Sequence, residues 1–198
     1  MKVFLTLLIL IFSLQSFAKA DDISDFEIEG VSIGDSLLDH SATLGITKEF
    51  IKNKKLTYYP KSKKFALSAY SDRGNYNTYY KVQFTIDPKT FKIYKIGGFL
   101  NITSKEDCIK KQEEIVKDLI KADKSLTKFV DEFSKHPVDK TGESEANGIY
   151  LDFPSGDSID VECYIWGEKI KEEKSYEDNL RVALSTKIIT DFLINDAY

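Results

Sequence analysis

The chain has 198 residues, of which 42% are hydrophobic, and a formal net charge of −4. This length suits one domain, or two half-size units that share a core. The acidic balance disfavours nucleic acid as a partner, because such a site must neutralise phosphates. It also disfavours adhesion to an anionic membrane surface.

Residues 1–20 have the three parts of a secretory signal peptide. Lys2 gives the positive start, residues 3–14 give the apolar run, and a small-x-small cleavage site ends at Ala20. The run is shorter than the ~20 residues of a membrane span, and an uncleaved anchor is the alternative. No cysteine follows the cleavage site, which disfavours a lipoprotein anchor. We therefore expect the mature protein, residues 21–198, to be periplasmic or secreted, without a membrane span.

The mature chain opens on FEIEGVSIGDSLLDH, residues 26–40. Its apolar residues alternate weakly until Gly34 and Asp35, which form a turn. Asp35 or Ser36 is a suitable cap for a short helix, and a second short helix is predicted after Thr47. The pattern indicates an edge element that leads into a core helix, so the stretch is interpreted as structural.

Three strands are predicted next, at residues 65–70, 79–86 and 91–100. The second alternates apolar and polar residues cleanly, as a half-buried strand does. An Asp-Pro turn separates it from the third, which carries Gly97 and Gly98, a pair that suggests a bulge or bend. Together these segments predict an antiparallel meander.

The clearest helix is predicted at residues 105–121, with Ser104 as its cap. Its apolar residues share one side at 100° per residue, as in a helix packed on a sheet. Residues 135–147 are polar and rich in helix breakers. They form the longest predicted loop.

A second meander is predicted at residues 148–153, 158–166 and 180–184. A Pro-Ser-Gly-Asp turn joins the first two of these strands. Residues 168–178 are highly charged and are predicted to be a loop. Residues 187–193 are predicted to be a C-terminal helix or helical turn.

Both cysteines lie in the mature part of the chain, Cys108 on the apolar side of the predicted helix and Cys163 on the apolar side of a predicted strand. Two cysteines in an oxidising compartment usually pair, so a disulfide is expected. On the chain-entropy model it would stabilise the fold by about 4 kcal/mol. Two separate buried thiols are the alternative.

These elements predict an α+β fold. We expect an antiparallel sheet of about six strands in two meanders, with helices packed on one face, in the order helix-βββ-helix-βββ-helix. Residues 21–198 form a single α+β domain on this interpretation. Two side-by-side α/β units, about residues 30–102 and 103–195, are the alternative division.

The mature start, DDISDFEIEGVSIGDSLLDH, resembles the opening of a group of small exported proteins of marine Pelagibacter-type alphaproteobacteria. The likeness covers residues 21–40 and implies export, without implying an activity. The group usually has an aromatic residue at the position of His40, which disfavours a catalytic role for that histidine.

The phrase VSIGDSLL, residues 31–38, is also similar in architecture to the start of the small lipoprotein of the outer-membrane assembly machine. The β-lactamase inhibitor protein has related helix-plus-sheet units in tandem. This likeness implies binding through a sheet face or loops, without catalysis. The chain departs from the lipoprotein because it lacks the lipid-bearing cysteine and is longer.

Motifs for catalysis and metal binding are missing from the sequence. The histidines, His40 and His136, stand outside any nucleophile motif and are interpreted as packed or solvated. Histidine and cysteine spacing does not fit a zinc site, the acidic clusters do not fit a calcium loop, and no glycine pattern fits a phosphate cradle. We expect no catalytic residue, metal or cofactor, and the enzyme question stays open with a leaning to no.

Aromatic residues carry the main functional potential of the sequence. On an open sheet face, several of them would form an amphipathic platform for a protein, peptide or glycan. Alternatively they cover the core edge, where aromatics are favoured in strands. The candidate binding face consists of Tyr58, Tyr59, Tyr76, Tyr79, Tyr80, Tyr94, Tyr164 and Trp166.

The sequence therefore favours an exported, non-catalytic periplasmic protein that binds an envelope protein, a peptide or another envelope component. A small-ligand-binding module with an apolar pocket between helices and sheet is one alternative. A secreted hydrolase that uses carboxylates is the other. No oligomeric state is predicted.

Overall fold

The computed structural model describes residues 22–71 and 76–198; the predicted signal peptide, residues 1–20, lies outside the described residues. No helix in these described ranges is long and apolar enough to cross a membrane. Ten strands and four α-helices are described, in addition to two short 3-10 helices. They are β1 (Glu27–Ile28), β2 (Val31–Ser32), α1 (Lys48–Asn53), β3 (Thr57–Tyr58), β4 (Ala66–Ser71), β5 (Lys81–Ile86), β6 (Ile93–Asn101), α2 (Lys105–Ala122), β7 (Thr127–Lys135), β8 (Glu145–Asp152), β9 (Ser158–Ile165), α3 (Glu168–Lys174), β10 (Asn179–Ser185) and α4 (Lys187–Asn195).

The main sheet has eight antiparallel strands in the order β3-β4-β5-β6-β10-β9-β8-β7. The last strands of the two meanders, β6 and β10, pair at its centre. The α+β class with a large antiparallel sheet is confirmed. The predicted count of about six strands was too low, because β3 has only two residues and β7 lacks an apolar face. An exposed edge strand needs no buried face, so its sequence shows little alternation.

The larger hydrophobic core lies between α2 and the sheet. Val116 and Leu119 of α2 are buried in this core together with Ile159 and Val161 of β9. Cys108 and Cys163 form a disulfide that joins α2 to β9 across 55 residues. The amide of Gln112, also buried, donates to the backbone carbonyl of Val161 at 2.7 Å. The apolar side of the predicted helix therefore packs on the sheet.

The helix α4 packs on the opposite sheet face, which corrects the expectation that all helices share one face. Ile189 and Phe192 of α4 form a second hydrophobic cluster with Tyr59 and Phe65. This cluster is separate from the larger core because α4 follows β10 directly and crosses the sheet face that carries Leu67 of β4. The charged segment predicted as a loop contains the helix α3, whose buried residue is Ile170.

The opening stretch of the mature chain forms the small β1–β2 hairpin and docks against β6. The backbone N–H of Ile93 donates to the carbonyl of Asp35, and that of Gly34 donates to the carbonyl of Ile93. Glu29, in the hairpin turn with φ of 54°, accepts the backbone N–H groups of Asn77, Thr78 and Tyr79 at 2.9, 2.8 and 3.0 Å. This stretch therefore ties the chain before β5 to the rest of the fold.

The Gly97–Gly98 pair has a packing role. The pairing of β6 with β10 runs without a shift through both glycines, and the irregularity in this meander lies between Thr85 and Ile86. A Cβ atom on Gly98 would lie 2.6 Å from the ring of Tyr79. The glycine therefore makes room for an aromatic ring against the core side of the sheet.

Candidate binding site

The sheet face opposite α2, called the open face below, is polar along its centre. Alternation places every second residue of β5, β6, β10 and β9 on it. Its central residues are Lys81, Gln83, Lys95, Gly97, Phe99, Arg181, Asp160 and Glu162. The helix α4 covers one flank of this face, and the strands β9 and β8 form the other.

A buried ion pair joins β6 to β9 on the open face. The ammonium of Lys95 lies 2.9 Å from the carboxylate of Asp160, and the two side chains are 18% and 10% exposed. Ser158 and Ser185 also donate to this carboxylate, at 2.8 and 3.2 Å. Burial alone would raise the pKa of Asp160, but Lys95 and these hydrogen bonds outweigh it, so the pKa is lowered. Asp160 is therefore held as a carboxylate and does not suit the role of a general acid.

A second ion pair lies beside the first, between Arg181 of β10 and Glu162 of β9. The Nε of Arg181 donates to the carboxylate at 2.8 Å, and Nη2 makes a second, closer contact with the same oxygen. Burial opposes the charge of Arg181, but Glu162 outweighs it and the pKa of Arg181 is raised. The guanidinium also lies 5.3 Å from the ring centroid of Tyr164, a cation–π contact.

Four rings, called the aromatic cluster below, continue from this pair: Tyr164, Trp166, His136 and Tyr176. The rings of Tyr164 and Trp166 are stacked, with centroids 5.7 Å apart and planes 9° apart. His136 lies edge-on to both, 4.7 Å from Trp166 and 5.8 Å from Tyr164. Tyr176 lies 4.8 Å from Trp166 and is 42% exposed. The cluster is a partly exposed aromatic surface held in one arrangement by mutual contacts.

The electrostatics of the aromatic cluster favour neutral rings near neutral pH. Burial, with Arg181 nearby, lowers the pKa of His136, so the imidazole is uncharged there. Burial also raises the pKa of Tyr164, so its hydroxyl stays protonated and donates to Glu162 at 3.1 Å. The rings thus form an uncharged surface beside a fixed guanidinium.

The loops around the aromatic cluster are fixed by buried polar contacts. The backbone N–H of Trp166 donates to Asp178 at 2.7 Å, in the segment that carries Tyr176. On the other side, the buried Asp139 accepts hydrogen bonds from the backbone and hydroxyl groups of Thr141 and Ser144. These hydrogen bonds lower the pKa of Asp139 well below its usual range, and they order the loop that follows His136.

A small crevice lies between the open face and the C-terminal residues. Its volume is about 250 Å³, and Gly97 forms part of its lining. The remaining lining residues are Tyr59, Leu67, Gln83, Thr85, Lys95, Arg181, Leu193 and Tyr198. The lining mixes aromatic and apolar groups with polar side chains, so the crevice differs from the apolar pocket considered from sequence.

The eight predicted aromatic residues occupy several places in the fold. Tyr164 and Trp166 lie together in the aromatic cluster. Tyr59 is buried under α4, where its hydroxyl lies 3.3 Å from the hydroxyl of Thr85. Tyr94 packs against the same hydrophobic cluster under α4. The other four are spread over the first meander. Tyr76 and Tyr79 pack on the main core, Tyr80 lies 6.5 Å from Phe99, and Tyr58 is 42% exposed at the sheet edge.

Sequence reasoning missed three members of this site. His136 was interpreted only as packed or solvated, and Tyr176 lies in a segment that was predicted to be a charged loop. Arg181 was not singled out, although a charged residue inside the apolar strand LRVALS is itself a signal. Such a residue needs a partner on the same sheet face, and Glu162 is its partner.

The other histidine has a structural contact. His40 Nε2 lies 2.8 Å from the carboxylate of Asp35, which also accepts the backbone N–H of Ser32 at 3.1 Å. Among residues 22–71 and 76–198, no group of three or more histidine, cysteine, aspartate or glutamate side chains is placed to hold a metal ion.

Comparisons with protein-family models, with curated proteins and with solved structures gave no match for this chain. Function is therefore inferred from the geometry of the site.

Proposed function

We propose that this chain is an exported, non-catalytic protein that binds an envelope protein, a peptide or another envelope component through its open face. The observation that carries the proposal is the aromatic cluster, which continues directly into the Arg181–Glu162 pair. Two strands and two ordered loops contribute to this one surface. The signal peptide predicted at residues 1–20 supports a periplasmic or secreted location.

The chemistry of the aromatic cluster is that of a binding hot spot. Tryptophan, tyrosine and arginine are the residues most enriched where binding energy is concentrated in protein interfaces. Their rings offer large contact area, and tyrosine and tryptophan also offer a polar group at the rim. Trp166 is already held between Tyr164, His136 and Tyr176, so binding would cost little side-chain entropy.

The carboxylates on the open face support binding more than hydrolysis. Asp160 and Glu162 are two residues apart on β9, and each is engaged by a cation. A hydrolase with two carboxylates needs one of them protonated, which requires a raised pKa. The pKa of Asp160 is lowered instead, and Glu162 is bound by the Arg181 guanidinium, so neither carboxylate is free to act as the general acid.

The crevice under the C-terminus supports a second candidate function, the binding of a small polar ligand. A volume of about 250 Å³ lies just below the range of about 300–1,000 Å³ that is usual for drug-sized ligands, so the crevice suits only a small molecule. Its lining offers nitrogen donors from Gln83, Lys95 and Arg181 beside the ring of Tyr59. A small acceptor-bearing molecule with an apolar part is the ligand class that this lining favours.

A pull-down from periplasmic extract tests the proposed function. The wild-type chain is compared with a Tyr164→Ala/Trp166→Ala variant, and Tyr58→Ala, which removes an exposed tyrosine at the far edge of the sheet, is the matched control. We expect partners that are retained by the wild type and by Tyr58→Ala and lost by the double variant. Recovery of the same partners by all three proteins would rule out the aromatic cluster as the binding surface.

A further inference from the structure

A second surface lies on the α2 side of the sheet, and its chemistry differs from that of the aromatic cluster. A shallow groove of about 610 Å³, called the basic groove below, lies between α2 and the start of β7. Val116 and Ile120 of α2 contribute its apolar lining. The charged lining residues are Lys117, Lys121, Lys124, Lys128 and Glu113. Four lysines against one glutamate form a strongly positive patch on a chain whose net charge is −4.

The strand next to the basic groove is the edge of the sheet. β7 has nine residues and pairs only with β8, and no strand within the described ranges pairs with its outer edge. Its pairing with β8 is regular from Thr127 to Asp131 and shifts between Asp131 and Ser134. The regular part therefore presents unpaired backbone groups in the geometry of a sheet edge.

Apolar side chains remain exposed along this edge. Phe129 is 55% exposed and Val130 is 58% exposed, on opposite faces of β7. Val130 pairs with the buried Ile149, so it lies on the α2 side of the sheet, as does Lys128 two residues earlier. The α2 side of the edge thus carries an apolar residue next to the basic groove.

We infer that the β7 edge and the basic groove together bind an extended acidic polypeptide segment, which adds a strand to the sheet. The backbone of this segment would pair with residues 127–131, as in other cases of strand addition. Alternate side chains of the added strand would lie on the α2 side. Acidic groups there would meet Lys121, Lys124 and Lys128, and apolar groups on the other side of the added strand would contact the exposed Phe129.

A polypeptide fits this surface better than a lipid headgroup does. A headgroup can pair with the lysines, but it has no repeating donors and acceptors for the open edge of β7. An extended segment satisfies both the backbone edge and the positive charge. The proposal concerns a surface on the opposite side of the sheet from the aromatic cluster, so it stands or fails independently of the proposed function.

The test measures how the mature chain binds a synthetic peptide of about seven residues with alternating glutamate and valine. Binding is followed by NMR titration and by amide hydrogen exchange. We expect saturable shifts and slower exchange for the outward amides of residues 127–131. The charge-reversed variant Lys121→Glu/Lys124→Glu should weaken binding by about tenfold, and binding by the wild type should weaken as salt rises. The matched control Lys52→Glu/Lys89→Glu, with the same change in net charge at other exposed sites, should bind as the wild type does.

Three results would overturn the inference. The first is equal binding of a peptide that alternates lysine and valine, because the charge would then not matter. The second is absent binding, or binding without protection of residues 127–131. The third is binding of phosphatidylglycerol vesicles through the same lysines while the acidic peptide stays unbound, which would make the groove a lipid site. A Trp166→Ala variant should keep its peptide binding, which separates this test from that of the proposed function.

Discussion

The Lys95–Asp160 pair shows how a single buried charge depends on its partner. Removing two charges from water is costly, and only close pairing with added hydrogen bonds offsets that cost. Asp160 has Lys95 at 2.9 Å and two serine hydroxyls within hydrogen-bonding distance. The pair therefore depends on both members being present, and it ties β6 to β9 across β10.

Replacing Lys95 with methionine should destabilise the fold by about 3–5 kcal/mol at neutral pH, because it leaves a buried carboxylate without its cation. In the wild type the pKa of Asp160 is lowered in the folded state, so the pair contributes fully to the free energy of unfolding above the pKa of aspartate in the unfolded chain, about 3.9. This contribution is lost as the pH falls below that value. In Lys95→Met the burial of Asp160 dominates, its pKa rises, and acidification from neutral pH should relieve part of the loss. Urea unfolding at several pH values measures both effects.

The double variant Lys95→Met/Asp160→Leu is the control for this prediction. It removes both charges, so it should recover most of the lost free energy of unfolding and show no pH effect from this site. Equal destabilisation by the single and double variants would contradict the account of the pair.

Adjacent glycines on β6 provide a matched pair of substitutions. Gly98→Ala should lower the free energy of unfolding by about 1–3 kcal/mol, because its Cβ would lie 2.6 Å from the Tyr79 ring. Gly97→Ala should have a smaller effect, since its Cβ would lie 3.7 Å from the nearest atom, on Arg181. Chemical unfolding of both variants measures the difference, and equal losses would count against the packing explanation.

At the scale of elements, the disulfide joins the main helix to the sheet. Reducing it, or replacing both Cys108 and Cys163 with alanine, should lower the free energy of unfolding by about 4 kcal/mol, because a loop of 55 residues is freed in the unfolded chain. Thermal unfolding with and without reductant measures this change. The alanine variant should not respond to reductant, and an unchanged thiol count in the wild type after reduction would contradict the pairing.

Several elements were predictable from sequence because they bury one face. The helix α2 and the strands β5 and β9 have apolar residues at the helix and strand periods, and the structure has all three. The strand β7 was missed, because an edge strand with both faces exposed has no such period. The side of the sheet on which α4 packs was also beyond prediction, since a short amphipathic helix is compatible with either face.

The candidate site was predictable only in part for a related reason. Alternation along β9 identifies Tyr164 and Trp166 as neighbours on one face, whichever way the sheet is covered. His136 and Tyr176 join them only through the fold of two loops, which are held by Asp139 and Asp178. Contacts between residues that are distant in sequence leave no local pattern, so the aromatic cluster becomes visible only in the folded chain.

At the scale of the whole molecule, the proposed function requires that the chain is exported. If the signal peptide at residues 1–20 is cleaved after Ala20, the exported chain begins at Asp21. Intact mass measurement of the protein recovered from periplasm or medium should give the mass of residues 21–198 with its disulfide formed. Recovery of the uncleaved chain in the membrane fraction would favour an N-terminal anchor instead.

The most direct test of the central claim is photo-crosslinking in living cells with a photoreactive phenylalanine analogue at position 166. The same analogue at position 58, at the far edge of the sheet, is the matched control. We expect discrete crosslinked products from position 166 and none from position 58, because the aromatic cluster is the proposed contact surface. No product from position 166, or the same products from both positions, would contradict binding through the open face.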